Sequence, residues 1–226
     1  ASKTYTLPQA KEISPYRYVG VNFNSQGNPN LKPSDNYNFD LKWDFNPSPT
    51  ELVSLTAFYK HIKEPISRIE VASAGGYLSY ENISDCAIVA GVEVEIRKNL
   101  FVRPLSSAAN GMNKLSFGLN GSYIYTNAKM PLATVTTGSQ LEGAAPWIAN
   151  FDLSHHFTRD ERSFVNTLVL NYVSDKIYTI GTQGYQDIME RGLVTLDFVS
   201  QARLNKYLSL NLKAVSYTHL RAHETV

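Results

Sequence analysis

Tyr37-Asn38-Phe39-Asp40-Leu41-Lys42-Trp43-Asp44-Phe45 decides the fold. Every second residue is apolar. Tyr37, Phe39, Leu41, Trp43 and Phe45 take one face of an extended chain and Asn38, Asp40, Lys42 and Asp44 the other, because successive side chains of a strand point to opposite sides. Wound as a helix, the same residues would carry polar groups on all sides, so the stretch predicts a two-faced strand. Leu208 to Ala214 repeats the device, with Leu208, Leu210, Leu212 and Ala214 opposite Ser209, Asn211 and Lys213.

Weaker copies lie between these two. Val53 to Lys60, Val92 to Arg97, Lys114 to Tyr125 and Trp147 to Phe157 alternate, and Phe164 to Val173 and Val194 to Ala202 do so less strictly. With a stub at Ala1 to Thr6 the chain predicts nine strands of an all-β, antiparallel fold. The connections run 7–36, 46–51, 63–83, 99–113, 128–146, 158–163, 176–190 and 204–207, so long and short ones alternate, with 99–113 read as a looser turn. A soluble sandwich has no rule placing all its long connections at one end, whereas outer-membrane barrels do. The expectation is therefore a transmembrane β-barrel, with short turns on the periplasmic side, the apolar face on lipid and the polar face lining the lumen. Asp40, Lys42, Asp44, Glu93, Glu95 and Arg97 are then hydrated lumen residues, and Trp43, Phe45 and Phe157 belong to a periplasmic aromatic girdle.

Composition is compatible with this and excludes other classes. A net charge of +1, from 21 basic and 20 acidic residues, gives no nucleic-acid footprint. One cysteine, Cys86, excludes an internal disulfide and any multi-cysteine metal site. No apolar run approaches the ~18 residues of a membrane-spanning helix. Ala1-Ser2-Lys3-Thr4 lacks both an initiator Met and the apolar core of a signal peptide, as an internal piece of a longer protein would. Val215 to Thr225 matches the translation of a sequencing-library adapter, so residues 215–226 are read as a non-native tail and residues 1–214 as barrel. Setting the tail aside removes Arg221 and Glu224, which leaves the charge unchanged, and takes His219 and His223 out of any ligand argument.

Gly27-Asn28-Pro29-Asn30-Leu31-Lys32-Pro33 followed by Asn36 to Leu41 resembles the approach to a barrel strand in TonB-dependent receptors, notably those of Bacteroidota. Leu55 to Lys60 with Ile62 to Ile66, Gly91 to Lys98, and Gln140 to Gly143 with Pro146 to Asn150 are similar to further stretches of that family, in its order. The resemblance implies a 22-stranded barrel closed by an N-terminal plug and energised through a short N-terminal box, of which this chain would supply about strands 13 to 21. It also implies the outer membrane of a Gram-negative bacterium, with lipid, the TonB complex and a nutrient ligand as partners. The function implied is active uptake of a scarce or bulky nutrient: a siderophore, cobalamin, a glycan or a peptide.

No catalytic, cofactor-binding or metal-binding residue is assigned, and no cofactor is expected. His155 and His156 are adjacent in a strand and face opposite ways, so they cannot chelate together. Glu93 and Glu95 share a face with Arg97 and read as a lumen row rather than an acid/base pair. Ala74-Gly75-Gly76 lacks the Lys-Ser/Thr ending of a phosphate loop and reads as flexible loop. Pro15 to Tyr18 and Tyr77 to Tyr80 place aromatics in the outer loops, either to stack on ligand or to pack the loops, and ligand-contacting residues stay unknown. Two other readings stay open: a soluble all-β binding module, separated by detergent dependence, and a passive porin, separated by a missing plug.

Overall fold

A computed structural model describes every residue except 72, 74, 75, 106–110, 130–139, 183 and 217–226. The chain runs β1 (Ser2–Thr6), one helical turn α1 (Ala10–Ile13), β2 (Arg17–Val19), β3 (Asn24–Gln26), β4 (Ser34–Phe45), β5 (Leu52–Lys63), β6 (Ile66–Val71) and β7 (Tyr77–Asn82). It continues with β8 (Cys86–Leu105), β9 (Gly111–Ala128), β10 (Trp147–Arg159), β11 (Arg162–Val173), β12 (Lys176–Thr179), β13 (Ile188–Glu190), β14 (Leu193–Arg203) and β15 (Ser209–Val215). Nine of these form one antiparallel sheet in the order β1-β4-β5-β8-β9-β10-β11-β14-β15, a meander in which each strand pairs with the next long one in sequence. These are the nine strands expected from alternation. Among the described residues β1 and β15 are its two unpaired edges.

The register puts like with like on each face. Tyr59 opposes Phe39, Leu153 opposes Leu168, and Leu168 opposes Phe198, whereas Ser54 opposes Asp44 and Glu95. Glycines on the polar face leave room for larger neighbours: a Cβ at Gly91 would lie 2.4 Å from the Phe58 ring, and one at Gly118 would strike Asp152. The expected lumen residues form their own ion pairs, Arg97 with Glu95 at 2.7 Å and Lys42 with Asp44 at 3.3 Å.

The apolar face is bordered by aromatics at both ends. At the short turns Trp43 stacks on Phe45 (6.1 Å) and Phe157 meets Phe164 (6.4 Å). At the long connections Tyr123 packs on Trp147 at 4.5 Å. Trp147 and Phe157 are ten residues apart on β10. At ~3.3 Å per residue and a tilt of ~40°, that separation spans about 25 Å, the height of an outer-membrane apolar band.

One boundary differs from the sequence reading. Positions 99–113 were expected to be a looser turn, but β8 runs on to Leu105 and β9 starts at Gly111. A β-bulge between Asn99 and Phe101 inserts one residue and shifts the outward phase from Ile96 and Lys98 to Phe101, Arg103 and Leu105. The period-two pattern therefore breaks inside a continuous strand. Asn99 is held there by the β4–β5 turn, its N–H donating to Glu51 Oε1 (3.1 Å) and its side-chain amide to Thr50 Oγ1 (2.8 Å). The connection shrinks to 106–110, outside the described residues. The other short turns are 46–51, 160–161, where Asp160 takes a left-handed φ of 55°, and 204–208. In the last, Asn205 Oδ1 accepts from the N–H of Tyr207 and Leu208, an Asx turn.

The buried hydrophobic core lies outside the sheet's centre. Ile69, Ile83, Leu141, Ile177 and Ile180 pack on Ala87 and Ala128, at the end where the long connections gather. The strand centres leave Leu41, Leu168, Leu196 and Leu212 exposed, as a surface solvated by lipid tails requires.

Candidate functional site at the long-connection end

The four long connections form one packed unit. β2, β3, β7 and β6 make a four-stranded sheet, β12 and β13 a two-stranded one, and a parallel bridge between Ile69 and Ile180 joins them. Ile180 N–H donates to Arg68 O (3.1 Å) and Glu70 N–H to Ile180 O (3.0 Å). Asn28 of the first connection donates from its side-chain amide to Tyr80 O (3.0 Å), and Asn82 donates to Lys32 O (3.0 Å). Gly143 N–H reaches Ile177 O at 2.8 Å, and Leu141 N–H reaches Thr126 Oγ1 at 3.0 Å. Opening any one connection thus strips backbone partners from the others.

Arg68 is the hub. Its guanidinium lies 4.5 Å from the Tyr178 ring centre and 5.9 Å from that of Tyr80, and its Nη2 is 3.7 Å from Glu142 Oε1. Its own N–H donates to Glu142 Oε2. Burial pushes the Glu142 carboxyl above its ordinary range, against the opposing pull of the Arg68 N–H and guanidinium. Burial raises Asp187 as well, against the N–H of Gly181 that it accepts at 2.9 Å.

An acid whose folded pKa is raised contributes stability that is complete below its unfolded value and is lost as pH rises through the folded one. The loop unit should therefore be tighter at about pH 4 than at pH 7. Amide exchange across β6, β7, β12 and β13 should slow as pH falls, after correction for intrinsic rates. Glu142→Gln and Asp187→Asn together should flatten that dependence, and an unchanged slope would refute the assignment.

Beside Arg68 opens a cavity of about 790 Å3. Its aromatic walls are Tyr18, Phe23, Tyr80 and Tyr178, its apolar floor Leu78, Ile188 and Met189, and its cations Lys11, Arg68 and Arg191. Glu190, the lining carboxylate, is paired with Lys176 at 3.3 Å. Lys11 and Arg191 make no ion pair among the described residues. The volume falls in the ~300–1,000 Å3 range of ligand pockets, which combine an apolar lining with a few convergent polar groups.

Of the aromatics singled out from sequence, Tyr18 and Tyr80 line the cavity, whereas Tyr16 points to solvent and Tyr77 packs under Arg17 (5.9 Å). Arg68, Tyr178, Glu142 and Arg191 were not anticipated. Ala74 and Gly75 lie outside the described residues, and Gly76 adopts a φ of 44°. The two adjacent histidines stay apart, as expected: His155 meets Asn113 at 2.9 Å in the outward row, and His156 pairs in register with Lys114 in the inward one.

A nine-stranded meander, apolar on one face, charged on the other and crowned by a loop unit with a cavity, has the form of a stretch of β-barrel wall with its long connections gathered at one end. The family described as TonB dependent receptor-like, beta-barrel matches residues 1–223, and the chain belongs to it. No curated protein and no solved structure matches the chain. Membership makes this a transport protein rather than an enzyme, of a family whose setting is the outer membrane of Gram-negative bacteria. The match runs into the stretch read as a non-native tail; Val215 still pairs with Asp197, and 217–226 lie outside the described residues.

Proposed function

We propose that this chain supplies part of the wall and the outer vestibule of an active transporter for a scarce or bulky nutrient, of the siderophore, cobalamin, glycan or peptide classes. Energy comes from the TonB complex through an N-terminal plug and box that none of these residues supplies. The observation that carries the reading is the cavity beside Arg68, because all its walls come from the long connections that face outward in this family. Residues 1–214 are the barrel portion and 215–226 a non-native, adapter-derived tail, a boundary tested by reading the genomic locus from an independent clone.

Uptake of labelled cobalamin, a ferric siderophore, an oligosaccharide and a peptide by cells expressing the whole receptor tests the function. One of these should accumulate against its gradient, and a proton uncoupler should abolish the accumulation. Tyr178→Ala with Arg191→Gln should raise the half-saturating concentration about tenfold, the equivalent of ~1.4 kcal/mol of lost contact. Uptake that ignores the uncoupler would establish a passive pore instead.

A further inference from the structure

The short-turn end carries a second feature that transport does not use. Arg159 and Arg162 are directly opposite each other where β10 turns into β11. Like charges at directly opposed strand positions repel, and neither guanidinium has a carboxylate partner among the described residues. The next pair inward on the same face is Phe157 opposite Phe164, with ring centres 6.4 Å apart. Together with Leu204 and Asn205 of the neighbouring β14–β15 turn, these four residues enclose a hollow of about 470 Å3. Its inner wall is apolar and both its charged lining residues are arginines, while the two carboxylates of the same turn, Asp160 and Glu161, line a separate hollow that Arg162 also borders.

Alternation places this hollow on the lipid face. Phe157 continues the row of Phe151 and Leu153, and Phe164 the row of Leu168 and Leu170. A third cation joins from β8: Arg103 lies opposite Asn113, which lies opposite Phe157, so all three belong to one outward row. Arg103 also has no ion pair among the described residues, and its guanidinium rests 5.7 Å from the Phe101 ring centre. Arginines at a membrane boundary ordinarily spread outward to reach water separately. Here the hairpin register sets two of them opposite each other beyond an aromatic pair, neither paired with Asp160 or Glu161 of their own turn, and the anion that the membrane supplies at that depth is a lipid phosphate.

We propose that Arg159, Arg162 and the Phe157–Phe164 pair form a binding site for one acidic phospholipid of the periplasmic leaflet. Both guanidinia donate to its phosphate, with Arg103 nearby, and the first methylenes of an acyl chain lie on the rings. The planar guanidinium fork suits phosphate oxygens, which accept two parallel N–H bonds from it. The bound anion also relieves the repulsion across the hairpin.

The receptor carrying this chain, extracted from outer membranes in mild detergent and analysed by native mass spectrometry, should retain one phosphatidylglycerol or cardiolipin. Arg159→Gln with Arg162→Gln should lower that occupancy at least tenfold. Arg203→Gln removes the same charge from the inward face of the adjacent hairpin and should leave occupancy unchanged. If the double variant fails to assemble, as judged by heat-modifiable gel mobility, each single variant supplies the same comparison. Equal retention of phosphatidylcholine, an adduct of inorganic phosphate alone, or full occupancy in the assembled variants would overturn the proposal.

Discussion

Replacing Leu168 by Arg should nearly abolish the assembled barrel, whereas replacing its neighbour Val169 by Arg should be tolerated. Leu168 is in the middle of β11, opposite Leu153 on one side and Phe198 on the other, and it is exposed on the face that meets lipid. A guanidinium there must enter hydrocarbon near the midplane, at a cost of ~2–4 kcal/mol, and its nearest strand neighbours offer no counter-charge. Val169 points the other way, and its two cross-strand partners are Asp152 and Asp197. Directly opposed side chains are ~5 Å apart, so an arginine would be flanked by two carboxylates. Asp197 Oδ1 is buried and has no hydrogen-bond partner among the described residues, so it gains one. The measurement is the fraction of receptor in outer membranes that shows heat-modifiable mobility. Leu168→Arg should reduce it by tenfold or more and Val169→Arg by less than twofold; equal losses would mean that the two faces are not solvated differently.

The same logic explains what the sequence disclosed. β4 could be read outright because its apolar face must satisfy lipid and its polar face water at every step from Tyr37 to Phe45. β8 could not, since the bulge at Asn99 adds one residue and puts apolar Leu100, Phe101 and Val102 in a row. A pattern reader sees the end of a strand where the partner strand sees only a slip. The loop unit was less legible still. β6, β7, β12 and β13 are three to six residues long, too short for alternation to stand out, and β12 is stabilised by distant partners such as Glu190 and Gly143. Tyr18 and Tyr80 could be nominated because loop aromatics are conspicuous. Arg68 could not, because its role depends on Tyr178 and Glu142, which come from two other connections. Gln140 to Gly143 drew attention as a family-like stretch, but nothing local shows that Glu142 turns inward to bind Arg68.

The 226-residue chain expressed by itself without detergent should not give a folded monomer. Among the described residues its sheet has two open edges, β1 and β15, each presenting a row of backbone N–H and C=O groups with no strand partner. Lipid cannot accept them, because every unsatisfied backbone group in hydrocarbon costs several kcal/mol. Water can accept the edges but not the outward face, where Leu41, Trp43, Phe45, Leu168, Leu196, Leu210 and Leu212 are all exposed together. Soluble monomers rarely expose contiguous apolar patches of more than a few hundred Å2, and this face carries exposed large apolar side chains on strand after strand. The loop unit does not compensate, because its small core packs at the ends of the strands and covers none of their centres. Association through edges and apolar faces is then the remaining way to bury both, and the product should be β-rich aggregate. Size-exclusion chromatography and circular dichroism of the chain in plain buffer decide the matter. A monodisperse monomer with a cooperative melt would mean that the apolar rows pack against protein rather than lipid, in a soluble sandwich.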